Sequence, residues 1–404
     1  MSVFKKIFMW MSDTGRVFRN EMNIFLHDIG VLLFFFALPL MYPVIYTLIY
    51  NPETVRKMPV AVVDESRSAE SRSFVQKASA SPAIAIYAYC NDLQEARELM
   101  YENKVFGIMQ IPSSYGKNIG RNDPAHVEFY ADMTLLLRYR TFAAALTDLQ
   151  LELISETTGE RISASGLNSL AQNMSMIQSD SNFLGDTEQG FASFIMPGIV
   201  ILILQQSMLL GIGMLGGTSA ERRRRNNGFD PRQIHGVGVT ATVWGKSLAY
   251  LVIYIPQIIY VLRIIPAMFN LPHYGSATDY FLFIVPMLLA TAFLGQTLNA
   301  VIRDRESPFI IIVFTSVWFL FLSGLTWPRY AMSPIWKMLG DMIPAIWGVE
   351  GFIRINSNAA TLHEVGTDFV ALWVLSLVYM ITACIVTRAT MPYVCKRKWQ
   401  ESKA

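Results

Sequence analysis

Apolar positions in this chain gather into long unbroken runs. Six of them are long enough to cross a bilayer: Val31 to Tyr50, Ser193 to Gly217, Ser247 to Phe269, Tyr280 to Ile302, Pro308 to Trp327 and Phe369 to Thr387. A hydrocarbon core about 30 Å thick takes roughly 20 helical residues, and lipid offers backbone groups no partner outside the segment, so each run is predicted as a transmembrane helix. The first run starts well inside the chain, is full length and is followed by "TLIYNPE" without a small-residue cleavage pattern. It is therefore expected to stay as an anchor.

Other periodicities surround the spans. Phe4, Ile7, Phe8, Met11, Val17, Phe18, Met22 and Phe25 recur at helical spacing, with Lys5, Lys6, Asp13, Arg16 and Arg19 between them. That stripe predicts an amphipathic helix lying in the membrane interface, interrupted near Gly15. Between the first and second spans, "MPVAVVD", "IAIYAYC", "VFGIMQIP" and "HVEFYAD" read as strands, separated by the helical patterns "ESRSFVQKASA" and "NDLQEARELMYEN". Asp92 is placed to cap the second of these, with Glu95 as its capping-box partner. A long helix is predicted from about Leu135 to Thr157, and the Ser-, Asn- and Gln-rich residues 160–190 as a flexible return with a helical piece near "LNSLAQNMSMI". The fold class is thus an α-helical membrane protein of six transmembrane helices, with an α/β domain inserted between spans one and two.

Composition agrees with the pattern. Charged residues are 16% of the 404, against about 25% in soluble proteins, hydrophobic residues are 52% and mean hydropathy is +0.34. The net charge of +2 gives no overall basic character that would suit nucleic acid, so placement matters more than total. Lys and Arg near span ends favour the cytoplasm. They sit before the first span (Lys5, Lys6, Arg16, Arg19), between the second and third (Arg222 to Arg225, Arg232), between the fourth and fifth (Arg303, Arg305) and after the sixth (Lys396 to Lys398). Both termini are expected in the cytoplasm, giving these divisions: 1–30 a cytoplasmic interfacial helix, 31–50 span one, 51–190 the extracytoplasmic domain, 191–388 spans two to six and 389–404 a basic cytoplasmic tail.

Little in the chain points to catalysis. The three cysteines (90, 384, 395) are too scattered for a disulfide framework or a zinc site, and the five histidines show no metal-ligand spacing. "TATVWGKS" ends like a P-loop but carries Thr240 where the pattern needs glycine, and an apolar span follows, so Lys246 reads as an end-of-span anchor. No G-x-S-x-G, no H-E-x-x-H and no carboxylate pair within a span is present. The polar residues within spans are Gln205, Gln206, Gln257, Gln296 and Asn299, for which interhelical hydrogen bonding takes precedence over substrate contact. Arg263, near the outer end of its span, is expected to snorkel. Without titratable pairs at depth, a proton- or sodium-coupled carrier is disfavoured.

Several patterns occur in an order that resembles the permease subunit of ABC-2 type ATP-binding-cassette exporters with a large extracytoplasmic domain. They are "MPVAVVDESRSAESRSFVQ", "FASFIMPGIVILIL" with Pro197 and Gly198, "SAERRRRNNGF", "WGKSLAYLV" and "LSGLTWPRYAMSPIWKMLGDMIPAIWGVEGF". The resemblance implies a cytoplasmic coupling loop at 218–243, where a short helix docks on a separate ATPase subunit, and an external re-entrant segment at 328–366. Glu221, Arg222, Arg223, Arg224 and Arg225 would supply charge-assisted contacts, with Asn227 and Gly228 ending the turn. It also implies a pathway between two permeases, lined by the second and fifth spans, with Pro197, Gln205, Gln206 and Gln296 as candidate residues. No cofactor is expected in this chain; ATP and Mg would be bound by the partner ATPase. Implied partners are that ATPase, a second permease copy or paralogue, a periplasmic adaptor protein and the lipid bilayer of a bacterial inner membrane. The alternative is a membrane anchor that displays residues 51–190 as an interaction module without transport.

Overall fold

The computed structural model describes residues 3–50, 57–121, 123–132, 136–164, 191–271 and 273–390. It forms two compact units, one from residues 1–53 with 183–404 and the other from residues 54–182. The chain begins with α1 (Val3–Leu26) and α2 (Ile29–Tyr50). α1 runs unbroken through Gly15, where the sequence predicted an interruption. A single glycine costs a helix only about 1 kcal/mol, which good helical turns on both sides offset.

The second unit is built on a four-stranded sheet. In chain order it comprises β1 (Met58–Asp64), α3 (Ala69–Ala80), β2 (Ile84–Cys90), α4 (Leu93–Tyr101), β3 (Gly107–Ile111), α5 (Tyr115–Arg121), β4 (Glu128–Ala131) and α6 (Leu136–Ala164). Strand order is β2-β1-β3-β4, with β1 parallel to β2 and β3, and β4 antiparallel to β3. Val60 and Val62 pack with Phe74, Met109 and Phe142 on one face, while Ala61 and Val63 pack with Ala96 and Ile108 on the other. Burial on both faces explains the unbroken apolar run in β1. Asp64 receives the backbone N–H groups of Ser66 (3.0 Å) and Arg67 (2.9 Å) and the Ser71 hydroxyl (2.7 Å), which fixes the turn into α3. Asp92 accepts from Glu95 N at 2.8 Å, whereas the Glu95 carboxylate returns to Asn91 N at 2.9 Å, one residue before the position a capping box predicts. Of the predicted flexible return over 160–190, residues 160–164 instead continue α6; the rest, with its helical piece, and the basic tail beyond residue 390 lie outside the described residues.

The helical unit continues with α7 (Phe191–Arg225), α8 (Val239–Ile259), a π-helical turn (Tyr260–Ile264), α9 (Ile265–Phe269), α10 (Ala277–Leu298) and α11 (Ser307–Leu322). A 3-10 turn (Arg329–Ala331), α12 (Pro334–Asp341), α13 (Pro344–Asn358) and α14 (Gly366–Thr390) complete it. The π-turn lies between Pro256 and Pro266, and Ile265 N there donates to Tyr260 O. A bulge of this kind re-pairs backbone groups next to a proline. Arg263, within that turn, is exposed.

Among the described residues, five helices are long and apolar enough to cross a membrane: α2, α7, the continuous α8-to-α9 segment, α10 and α14. The run predicted as a span from Pro308 to Trp327 is a 16-residue helix, α11, roughly 24 Å long. It ends early because Gly324 takes a left-handed φ of +88°. The segment 218–243 also departs from expectation. It contains no short helix of its own: α7 simply continues to Arg225, and the chain turns through Asn227 and Gly228 and runs irregularly to Val239.

α7 is buried along most of its length and forms the centre of this unit. Its glycines mark where neighbours press closest. A Cβ on Gly211 would lie 1.4 Å from the Phe35 ring, on Gly213 2.8 Å from Pro308, and on Gly217 2.3 Å from Asp304 O. Phe35 is fully buried against Phe25 and Tyr254 and has nowhere to retreat. We expect Gly211→Val to destabilise the protein by about 1–3 kcal/mol, read as a lower thermal midpoint in detergent. Gly238→Ala, which faces open space, should leave that midpoint unchanged.

Candidate functional site: charged clasps at the helix ends

The arginine run occupies the last turn of α7, where a helix presents unpaired carbonyls and a negative dipole end that cations stabilise. The turn that follows is set by Asn227 (φ 48°) and Gly228 (φ 91°), and Gly228 N donates to Arg223 O at 2.7 Å. Both residues therefore end the helix through left-handed backbone. The chain then folds back so that Asp230 is buried beside α7. Arg222 holds it with two parallel bonds, Nε to Oδ1 at 2.9 Å and Nη2 to Oδ2 at 3.1 Å. Ser219 Oγ donates to Oδ2 at 2.8 Å and Arg232 N to Oδ1 at 3.1 Å. Burial by itself would raise the Asp230 pKa, but the bonds from Arg222 and Ser219, the Arg222 charge and the Arg232 N–H outweigh it. The carboxyl is held below its ordinary value.

The neighbouring residues reach across to a second turn. Glu221 Oε1 accepts from Arg305 N at 2.8 Å, and Arg224 donates to Arg303 O at 2.5 Å and pairs with Asp304. Arg305 in turn pairs with Asp28 at 2.5 Å, and Asp28 Oδ1 also accepts Val31 N at 3.2 Å, capping α2. Three junctions are joined in this way: α1 to α2, the end of α7, and α10 to α11. Of the predicted coupling residues, Glu221, Arg222 and Arg223 are partly buried, whereas Arg224, Arg225, Asn227 and Gly228 are exposed.

A further clasp involves a residue the sequence reading missed. Glu21 of α1 is buried; Tyr250 Oη donates to its Oε1 at 2.5 Å and Lys246 Nζ lies 3.5 Å from Oε2. The P-loop-like "GKS" is accounted for residue by residue. Gly245 lets α1 approach so closely that a Cβ there would be 2.7 Å from Val17 and 2.8 Å from Thr14 O. Lys246 faces Glu21, and Ser247 accepts from Gln296 Nε2 at 2.7 Å. One signal pointed to Glu21: it falls four residues after Val17 and four before Phe25, on the buried face of α1.

The four candidate pathway residues occupy different interhelix contacts. Gln205 Oε1 accepts from Ala345 N at 2.6 Å, at the start of α13, where an unpaired helix N–H needs a partner. Gln296 binds Ser247 on α8, as above. Gln206 Oε1 is buried without a hydrogen-bond partner among the described residues. Pro197 lines a small apolar cavity with Val261, Leu262 and Phe352. On the other side, α11 carries exposed Phe314, Trp318 and Phe321. Trp318 and Phe321, with Trp327, Met332 and Trp336, line an open apolar cavity of about 630 Å³.

A multi-pass helical membrane protein with arginine-based clasps at its helix ends is the class this geometry defines. Residues 29–385 match the sequence profile of the ABC-2 family transporter proteins, and the chain belongs to that family. It is also 24% identical over 306 residues to ABC transporter G family member 20 of Dictyostelium discoideum, an alignment covering 72% of this chain and 39% of that relative. The chain thus spans well under half of the relative's length.

Asp230→Asn should loosen the turn after α7. Removing one partner of a buried pair costs about 3 kcal/mol, so amide exchange over residues 219–236 should speed up about a hundredfold. Because the Asp230 pKa is depressed in the fold, its contribution is complete above the unfolded value of about 3.9 and is lost as pH falls through the lower folded value. Protection of this loop, corrected for intrinsic exchange, should therefore be the same at pH 7 and pH 5.

Proposed function

We propose that this chain is the permease subunit of an ABC exporter, moving its substrate outward by alternating access driven by a separate ATPase subunit. The family supplies the class. The observation that carries the mechanism is that exposed Arg224 and Arg225 end a single buried helix, α7, which continues without a break into the core of the helical unit, with exposed Asn227 and Gly228 in the turn just beyond. Force applied by a nucleotide-driven partner at that tip would move α7 as a rod. Glu221 and Arg222 then serve as internal struts, and the docking contacts fall to the exposed residues.

In this reading the arginine loop and both termini lie in the cytoplasm, and the unit 54–182 lies on the other side of a bacterial inner membrane, where it gates exit or engages a periplasmic adaptor protein. α11 acts as a sixth, short span, completed by the turn through Leu325 and by local bilayer thinning. Its exposed aromatic face, with the apolar cavity beside Trp318 and Trp336, is where a second permease copy or paralogue closes the pathway. The pathway runs along α7 and α11, past the levels of Pro197, Gln205 and Gln206. Gln296, bonded to Ser247, steadies α8 against α10.

Charge reversal tests the coupling. Arg224→Glu with Arg225→Glu should leave membrane insertion intact but weaken association with the ATPase subunit and its stimulation by about tenfold or more, measured by co-purification and ATP turnover in proteoliposomes. Unchanged stimulation with normal insertion would remove the docking role.

A further inference from the structure

At the junction where α1 meets α2, an open cavity of about 350 Å³ lies beside the end of α7. Three arginines from three separate chain segments converge on it: Arg222, Arg232 and Arg305. Two of them are only partly committed. Arg222 spends Nε and Nη2 on Asp230, and Arg305 spends one Nη2 bond on Asp28. The Arg232 guanidinium is exposed and makes no side-chain bond among the described residues, while its backbone is fixed by Asn20 Nδ2 at 2.9 Å and by Asp230. The one carboxylate lining the cavity, Asp28, is neutralised by Arg305 and by capping α2.

The start of α2 adds to this field. Ile29 and Gly30, in its first turn, line the same cavity, and a helix start carries a partial positive charge. A side chain at Gly30 would meet Arg305 Nη2 at 2.5 Å, so only glycine admits the guanidinium so close to the helix start. The rest of the lining is mixed: Ile24, Ile29 and Leu215 are aliphatic, and His27 and Thr218 add polar edges. Ile29 is also the first residue of a membrane-crossing helix, so the cavity sits at a helix end, where the polar edge of a bilayer falls.

We infer that this cavity binds a phosphate group, and that the phosphate is the headgroup of an anionic phospholipid whose acyl chains run along α2. Guanidinium forks match phosphate oxygens, and each arginine at a membrane surface strengthens binding of acidic lipid about fivefold. A site that combines three cations with the aliphatic Ile24, Ile29 and Leu215 at the end of a membrane-crossing helix fits a lipid better than a soluble anion, which has no use for the aliphatic residues. The inference rests on the membrane-spanning reading above, and on neither the ATPase partner nor transport.

The purified full chain, without any ATPase, is incubated with short-chain phosphatidylglycerol, phosphatidylcholine or inorganic phosphate, and bound lipid is counted by native mass spectrometry alongside the thermal midpoint. Phosphatidylglycerol should be retained and should raise the midpoint, phosphatidylcholine should not, and R232Q should weaken retention about fivefold. R232Q leaves the Asp230 and Asp28 pairs in place, so its fold is expected to stand, and R225Q, outside the cavity, serves as the control that retains lipid. Stabilisation by inorganic phosphate that R232Q abolishes would support the phosphate site and assign its source to solution. Equal retention of the two lipids, or equal loss in R225Q and R232Q, would overturn the inference. A chain that binds phosphatidylglycerol but fails to stimulate an ATPase would leave it standing while removing the coupling proposal.

Discussion

Close approach of backbone to side chain along α7 is the constraint on which the rest of the helical unit depends. Apolar side chains gain little from leaving lipid for one another, so helices in a membrane are held by packing and hydrogen bonds. α7 meets that demand by losing side chains where its neighbours press. Gly198 admits Leu325, Gly211 admits Phe35, Gly213 admits Pro308 and Gly216 admits Asn299. Its remaining polar groups are directed at partners: Gln205 caps α13, and Ser207 Oγ lies 2.8 Å from Tyr254 Oη. A helix gripped on so many sides translates or rotates only together with what grips it.

That rigidity changes what four consecutive arginines can do. All four sit where a helix C-terminus favours cations, but their surroundings separate them. Arg222 turns inward to Asp230 and Arg224 reaches Asp304, while Arg225 stays in solvent. One run of charge thus serves two faces, one side tying loops together and the other left to solvent. Asp230 is the element that makes the inward side possible, because an arginine half-buried beside α7 without a carboxylate would carry its full desolvation cost.

Much of this was legible in the sequence, and the failures have physical causes. Apolar runs located α2, α10 and α14, and the start of α7, to within a few residues, since lipid imposes length and composition on a span; α7 itself runs on through the polar residues to Arg225. The central strands β1 and β3 were visible because both-face burial leaves little polar interruption, and the edge strands β2 and β4 by their aromatic and β-branched residues. The end of α11 was misplaced because hydropathy continues through "LSGLTW" while the backbone does not: Gly324 stops the helix, and "SG" inside an apolar run is a weak signal. The helix Tyr115–Arg121 was overlooked because it is only 7 residues, about two turns, and holds two glycines. Within the site, Glu221 to Arg225 stood out by charge alone, but Asp230, Asp28 and Glu21 did not. A buried carboxylate is defined by its partner, and those partners lie 8, 277 and 229 residues away.

Glu21 shows how far the site extends. If α1 lay on the membrane with its whole apolar stripe in lipid, a carboxylate in line with that stripe would be expensive. Instead the stripe divides. Phe4, Ile7, Phe8 and Met11 face outward, while Val17 and Phe25, with Glu21 between them, face the protein. Along this inner face α1 is fastened at intervals: Trp10 Nε1 to Thr240 Oγ1 at 3.1 Å, Thr14 and Val17 against Gly245, Asn20 to Arg232 O, and Glu21 to Lys246 and Tyr250. Fastenings so spread out leave α1 no hinge relative to the first turns of α8. A push on the loop between α7 and α8 is therefore carried into α1 as well, and through the Arg305–Asp28 pair into the start of α2. The loop, α1 and the start of α2 form one mechanical piece, held at its corners by carboxylates.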